Sequence, residues 1–265
     1  MRTKKRTVTI IQARMSSSRL FGKVLLPIGG KTALQWCVDR IKKATVVDDI
    51  IVATTTNPAD IAIIEFCKKI NCKTFMGSEN DVLDRVYQAA KKHKADYIIE
   101  ITADCPFIDP SHIDIITQQV RKNNLLYGCN IYPRTWPDGF DIQVYPFKTL
   151  KAINKIVERP THRAHGGWNI INNWDKITKH FFFGNSSMFN LSCPLRPGIQ
   201  KNKLRDYTRL ECTLDTPADL KNLINIEKYL RKQSKIDSFT AFDIIEYLEK
   251  IDYKQTTKRK TPGDG

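Results

Sequence analysis

The chain lacks any run of eighteen apolar residues, so the sequence predicts no membrane-spanning helix. Its basic start, Met1 to Arg6, is followed by only a short apolar stretch, Val8 to Gln12, too brief for the core of a signal peptide. A cytoplasmic protein is therefore expected. Cysteine is sparse and odd in number: seven residues, none in a C-x-x-C arrangement, several inside apolar runs. This argues against both a disulfide framework and a structural zinc site and suits reduced core thiols. Neither G-x-G-x-x-G nor G-x-x-x-x-G-K-[ST] occurs, so the two common nucleotide-binding fingerprints are absent. With no zinc finger, basic zipper or RNP-like aromatic motif either, the sequence gives no basis for specific nucleic-acid binding.

The 265 residues are 41% hydrophobic and 27% charged, ordinary globular proportions with ample length for one substantial core. The net charge is +15, and seven of those charges sit in residues 1–6 and 253–265. The remainder suits an anionic substrate. We expect one domain over residues 1–252, with 158–209 as a substrate-shaping or dimerisation subregion. A disordered basic tail is expected at 253–265.

Hydrophobic periodicity supplies the fold class. Strands are predicted at Val8–Gln12, Asp49–Ala53, Cys72–Met76 and Tyr97–Ile101. They alternate with helices at Lys31–Lys43, Ala59–Ile70, Asp81–Lys92 and Ser111–Lys122. Such alternation implies crossover units and an α/β three-layer sandwich around a mainly parallel central sheet. Beyond residue 122 the pattern loosens. Leu125–Asn130 and Phe140–Tyr145 read as strands and Phe147–Val157 as a helix. The aromatic patch His180–Phe183 falls in the least legible stretch. Leu210–Leu214 then reads as a strand, followed by a helix from Asp215 to Leu230 and a last, surface-lying helix over Phe239–Lys250.

In an open parallel sheet, ligands sit beyond the carboxyl ends of the strands. Three polar segments are expected there: 13–23, 102–110 and 215–219. The first carries Arg14, Arg19 and Lys23 for phosphate oxygens, with Ser16, Ser17 and Ser18 supplying hydroxyls. Its backbone N–H groups can form an anion nest. Asp104 and Asp215, each just past a predicted strand, could hold Mg²⁺ between protein and phosphate. Asp215-Thr-Pro also reads as a helix cap, as does Asp109-Pro110, and Asp219 reads as a first-turn helix charge. A basic loop with carboxylate-held Mg²⁺ implies phosphoryl or nucleotidyl transfer without a covalent nucleophile.

The run Ile11-Gln-Ala-Arg-Met-Ser-Ser-Ser-Arg-Leu-Phe-Gly-Lys-Val-Leu-Leu-Pro27 resembles the signature loop of cytidylyltransferases that activate acidic sugars. The likeness is to the SpsF-like branch, related to CMP-sialate and CMP-Kdo synthetases. Gly77–Arg85, Thr102–Pro110, Arg134–Val144 and Leu214–Leu220 resemble that branch too. The resemblance implies the nucleotide-diphospho-sugar transferase (GT-A-like) fold, frequently homodimeric, and transfer of CMP from CTP to a sugar acid with Mg²⁺. It implies that Arg14, Ser18, Arg19 and Lys23 bind the triphosphate. Ala13, Thr54 and Arg85 would lie near the base or ribose, and Asp104 and Asp215 would hold the metal. Asn130, Asp138, Gly139 and Asp141 would line the acceptor side. Phe21 replaces the proline usual in the family loop. Arg159 to Gly167 lacks the family's glutamate and places Arg163 and His165 there, as candidate contacts to the acceptor. A nucleotidyltransferase acting on a sugar or polyol phosphate, or a catalytically retired nucleotide-binding homologue, is the alternative.

Overall fold

The structure, a computed structural model, describes residues 4–158, 163–181, 188–191 and 207–251. Its centre is β1 (Thr7–Gln12), which lies parallel to β4 (Asp49–Thr55) on one side and β6 (Tyr97–Thr102) on the other. β1 is buried on both faces, which is why it reads as an apolar run rather than an alternation. Ile11 points into a core built with Leu34, Val38 and Ile41 of α1 (Ala33–Ile41), with α2 (Ile61–Lys69), and with Ile113 and Ile116 of α4 (Pro110–Lys122). Val8 and Ile10 face the opposite core, made with α3 (Val82–Lys92) and α5 (Phe147–Ile156). Helices on both faces of one sheet are the three-layer sandwich expected from the strand–helix alternation.

Among the described residues the sheet has seven strands in the order β5-β4-β1-β6-β8-β7-β9. β5 (Lys73–Gly77) extends one edge in parallel. On the other side β8 (Gln143–Pro146) runs antiparallel to both β6 and β7 (Tyr127–Cys129), and β9 (Met188–Asn190) then pairs in parallel with β7. A small hairpin joins β2 (Pro27–Ile28) to β3 (Lys31–Thr32). Its two-residue turn is Gly29-Gly30, both at positive φ (57° and 91°), the geometry a tight hairpin favours and a side chain resists.

Leu210–Leu214 is not a strand. β8 already occupies the free edge of β6, so this segment finds no ladder, only one isolated bridge between Asp138 and Glu211. Its backbone is satisfied by loops instead: Cys212 N–H donates to Asp138 O (2.7 Å) and Leu214 N–H to Asp104 O (2.9 Å). Phe140–Tyr145 starts pairing only at Gln143, because the Asn130 side chain takes Phe140 O (2.7 Å) and Ile142 N–H (2.9 Å) first. Lys31 belongs to β3, and Thr32 caps α1 by accepting from Gln35 N–H at 3.1 Å.

The final two helices form a third core. α8 (Pro217–Lys232) opens with a capping box between Thr216 and Asp219. α9 (Ala241–Lys250) buries Ala241, Ile244, Ile245 and Leu248 rather than lying on the surface. Its start is tied to α4, because Asp109 caps that helix and also accepts from Ala241 N–H at 2.7 Å. Within the 158–209 region, α6 (Trp168–Asn172) and α7 (Trp174–Phe181) extend the α3–α5 layer through Ile170 and Ile177. Residues 159–162, 182–187, 192–206 and the basic tail at 253–265 lie outside the described residues. So do residues 182 and 183 of the aromatic patch read over His180–Phe183. Among the described residues no helix is long and apolar enough to cross a membrane.

Candidate active site

The carboxyl ends of β1, β4 and β6 converge on one rim of the sheet, and the loop after β1 is fastened there by a residue the sequence did not single out. Asp60 is fully buried just before α2. One oxygen accepts from Met15 N–H (2.7 Å). The other accepts from the Thr54 hydroxyl (2.9 Å), Thr55 N–H (3.0 Å) and the Thr55 hydroxyl (2.6 Å). Burial pushes its carboxyl up, but these donors outweigh it and hold it below the usual carboxylate range. The loop then folds on itself: Ser17 and Gly22 N–H both donate to Met15 O, and Gly22 sits at φ 67° against the Met15 side chain. Glu79 adds a second strap by accepting from the Ser16 hydroxyl (2.6 Å) and the Asn57 amide (3.1 Å).

So held, the loop aims its cations at two carboxylates. Lys23 Nζ donates to Asp104 (2.6 Å) and to Asp215 (2.8 Å), and Arg19 pairs with Asp215 at 2.8 Å. Burial alone would lower the Lys23 pKa, but Asp104 and Asp215 together raise it, so the ammonium is firmly charged. Asp104 follows β6 as predicted. Asp215 does not follow a strand, since Leu210–Leu214 is irregular. It reaches Asp104 because Leu214 N–H and the Thr213 hydroxyl both bond Asp104 O, while Asp219 receives Asp215 N–H at 3.0 Å.

These groups open onto a cavity of about 570 Å³. Of the residues singled out in the sequence, Ala13, Arg14, Ser17, Ser18, Arg19, Lys23, Arg85, Asp104, His165 and Asp215 line it. Six further candidates do not line it, and each makes contacts within the fold. Thr54 is buried and gives its hydroxyl to Asp60. Asn130 braces the 140–142 backbone. Gly139 lies at φ 109°, where an added Cβ would meet the Cys212 backbone at 2.6 Å. Asp141 takes a bidentate pair from Arg134 (2.6 Å each), and Asp138 stands 3.9 Å from the same guanidinium. Arg163 binds Asp81 (2.7 Å) and the Asn154 and Val157 carbonyls, locking α3 to α5.

The cavity also gains Gln12, Glu79, Asn80 and Thr102, none of which was singled out. Behind its wall lies Glu100, a single carboxylate in the otherwise apolar strand Tyr97–Ile101. That isolation was a readable signal. Among the described residues no cluster of three or more His, Cys, Asp or Glu side chains could hold a metal ion alone. Two hard carboxylate oxygen donors facing a cavity lined by basic side chains nonetheless fit Mg²⁺, which commonly takes one or two carboxylates and completes its shell with phosphates and water.

A mostly parallel sheet whose first loop is a strapped cationic arm, opposed by two carboxylates, is the fold and site of a nucleotidyltransferase. The family profile for cytidylyltransferases matches residues 8–152, and the chain belongs to that family. An uncharacterized protein of Methanocaldococcus jannaschii is 32% identical over 243 residues, covering 92% of this chain and 90% of that one. The spore coat polysaccharide biosynthesis protein SpsF of Bacillus subtilis is 38% identical over 113 residues, 41% of this chain. The 3-deoxy-manno-octulosonate cytidylyltransferase of Elusimicrobium minutum is 31% identical over 120 residues, 44% of this chain. Either match spans 47% of the relative's length. A solved cytidylyltransferase structure from Leptospira borgpetersenii superposes with a TM-score of 0.80 at 29% identity, covering 94% of this chain and 96% of that one.

Proposed function

We propose that this enzyme transfers CMP from CTP to a sugar acid, releasing pyrophosphate, with Mg²⁺ at Asp104 and Asp215. The observation that carries the reading is Lys23 seated between those two carboxylates at the mouth of the basic loop. That arrangement already holds one cation between paired acids, beside a cavity suited to a polyanion. Bound Mg²⁺ would neutralise charge on the phosphates and polarise the α-phosphoryl group. Arg14, Arg19 and Lys23 would clamp the phosphate oxygens, holding the α-phosphorus in line with the incoming acceptor oxygen. A bond from that hydroxyl oxygen to the α-phosphorus forms as its proton passes to solvent, the bond to the bridging oxygen breaks, and pyrophosphate leaves with the electron pair. Charge growing on the leaving group falls opposite fixed cations. His165, at the cavity wall, would contact the acceptor. The sugar-acid class follows the relatives that act on or serve acidic and surface sugars, and the cationic wall suits a carboxylated acceptor.

Pyrophosphate release tests this directly: purified protein, Mg²⁺, each of CTP, UTP, GTP and ATP, and a panel of nonulosonic acids, Kdo and sugar or polyol phosphates. Release with CTP and one sugar acid is the expected result. Release only with a sugar or polyol phosphate would move the acceptor class, and no turnover with no nucleotide binding would sink the reading. Arg19→Ala should weaken CTP binding by about 1.5–3 kcal/mol, the value of a hydrogen bond to a charged group. Calorimetric titration giving unchanged affinity would remove Arg19 from the phosphate site.

A further inference from the structure

Gln12 is the last residue of β1 and lines the cavity, but it carries no phosphate-binding charge. In the parallel register Gln12 pairs with Thr102 and Ile10 with Glu100, so Gln12 and Glu100 are diagonal neighbours on one sheet face. The Gln12 amide Nε2 donates to Glu100 Oε1 at 2.5 Å. Glu100 is 2% exposed, and its other oxygen accepts from Gly167 N–H (2.7 Å) and the Tyr145 hydroxyl. The Gly166-Gly167 pair lies in the segment that departs from the family pattern: a Cβ at Gly166 would collide with this carboxylate, and one at Gly167 would press on Tyr145 and Gln143 beside it. Glu100 therefore holds two things at once, the 163–167 segment and the orientation of the Gln12 amide. With Nε2 turned to Glu100, Gln12 directs its carbonyl oxygen elsewhere.

The same cavity is lined by Arg85, 2% exposed, whose guanidinium donates to Ser78 O while its Nε is buried without a partner. Donors from Arg85 and an acceptor from Gln12 form a recognisable pattern. Cytosine offers two acceptors, O2 and N3, and one donor, the exocyclic amine. Uracil offers an acceptor at O4 where cytosine has that donor. We propose that Gln12 is the base-selecting residue of this enzyme, its carbonyl accepting from the exocyclic amine of cytosine, with Glu100 as the positioning residue that sets the amide. The inference rests on reading the cavity as the CTP site. A fixed acceptor favours the amino base, and it faces uracil O4 with like polarity, leaving a desolvated acceptor unpaired. That is the kind of polar mismatch that discriminates more strongly than a missing apolar contact.

The test is the ratio of CTP to UTP affinity, measured by calorimetry with Mg²⁺ on wild type, Gln12→Leu and Glu100→Gln, each checked for folding by its thermal transition. Wild type should favour CTP. Gln12→Leu should reduce the ratio by about ten-fold or more, the loss of one hydrogen bond and of the opposing mismatch. Glu100→Gln can donate as well as accept, freeing Gln12 to present either end, so the ratio should fall through a gain in UTP binding. A merely structural role for Glu100 would weaken both nucleotides together and leave the ratio alone. Wild-type ratios in both variants, or a wild type that binds CTP and UTP equally, would overturn the base-selection proposal while leaving a nucleotide site. Failure of wild type to bind either triphosphate would overturn the functional reading itself.

Discussion

Asp104→Asn is expected to cut turnover by roughly 10²–10³-fold, the scale on which one preorganised electrostatic group acts in a transition state. The cost to stability should be far smaller. Asp104 Oδ2 accepts from Lys23, but Lys23 keeps Asp215 as a partner at 2.8 Å, and an asparagine can still accept. The backbone carbonyl of Asp104, which receives Leu214 N–H and the Thr213 hydroxyl, is unchanged by the substitution. Fold and site are thus separable at this residue. Single-turnover pyrophosphate release beside a thermal denaturation curve distinguishes them. Full activity in the variant would end the metal-holding assignment, and a large loss of stability would mean Asp104 serves the fold first.

Asp60→Ala should be the most destabilising single change near the site, by about 3–5 kcal/mol. It would leave the buried Thr55 N–H, the half-buried Met15 N–H and two threonine hydroxyls without their acceptor. The same change should weaken CTP binding although Asp60 does not line the cavity, because the loop turn at Met15 loses its anchor. The pH dependence has a definite sign. The Asp60 carboxyl titrates lower in the folded protein than in the unfolded chain, where about 3.9 is usual. Its contribution is therefore fully present above about pH 4–5 and is lost as pH falls through the folded value. The stability gap between wild type and Asp60→Asn, followed by urea denaturation, should be constant near neutrality and narrow in acid. A gap that widened in acid would contradict the assignment.

Part of this was legible in the chain. The alternation of apolar runs with 3.6-period segments through residue 122 specified a parallel sheet with helices on both faces, because local periodicity reports which faces are buried. The cationic loop 13–23 and Asp104 were legible for the same reason: they sit immediately after strands whose apolar character is unmistakable. The resemblance to cytidylyltransferases rested on those segments together with Gly77–Arg85, Arg134–Val144 and Leu214–Leu220.

Asp215 was named for the right neighbourhood by the wrong local argument. It joins Asp104 through hydrogen bonds between segments 109 and 110 residues apart in sequence, not by ending a strand. Thr54, Asn130, Asp138, Gly139, Asp141 and Arg163 were named through the likeness to the family, not through any local pattern. The structure adds the contacts they make within the fold: Thr54 with Asp60, Asn130 with the 140–142 backbone, Asp141 with Arg134, Arg163 with Asp81, and Gly139 close to the Cys212 backbone.

What the sequence by itself determined, then, is the order of elements, the layer architecture and the charge of the first loop, all of which depend on composition and period over a few turns of chain. The tertiary structure alone decided the reversal of β8, which closes the edge of β6 to residues 210–214. It also decided the anchoring of the loop on Asp60 and the diagonal contact of Gln12 with Glu100. Each depends on which distant donor meets which acceptor, and no local pattern encodes that pairing.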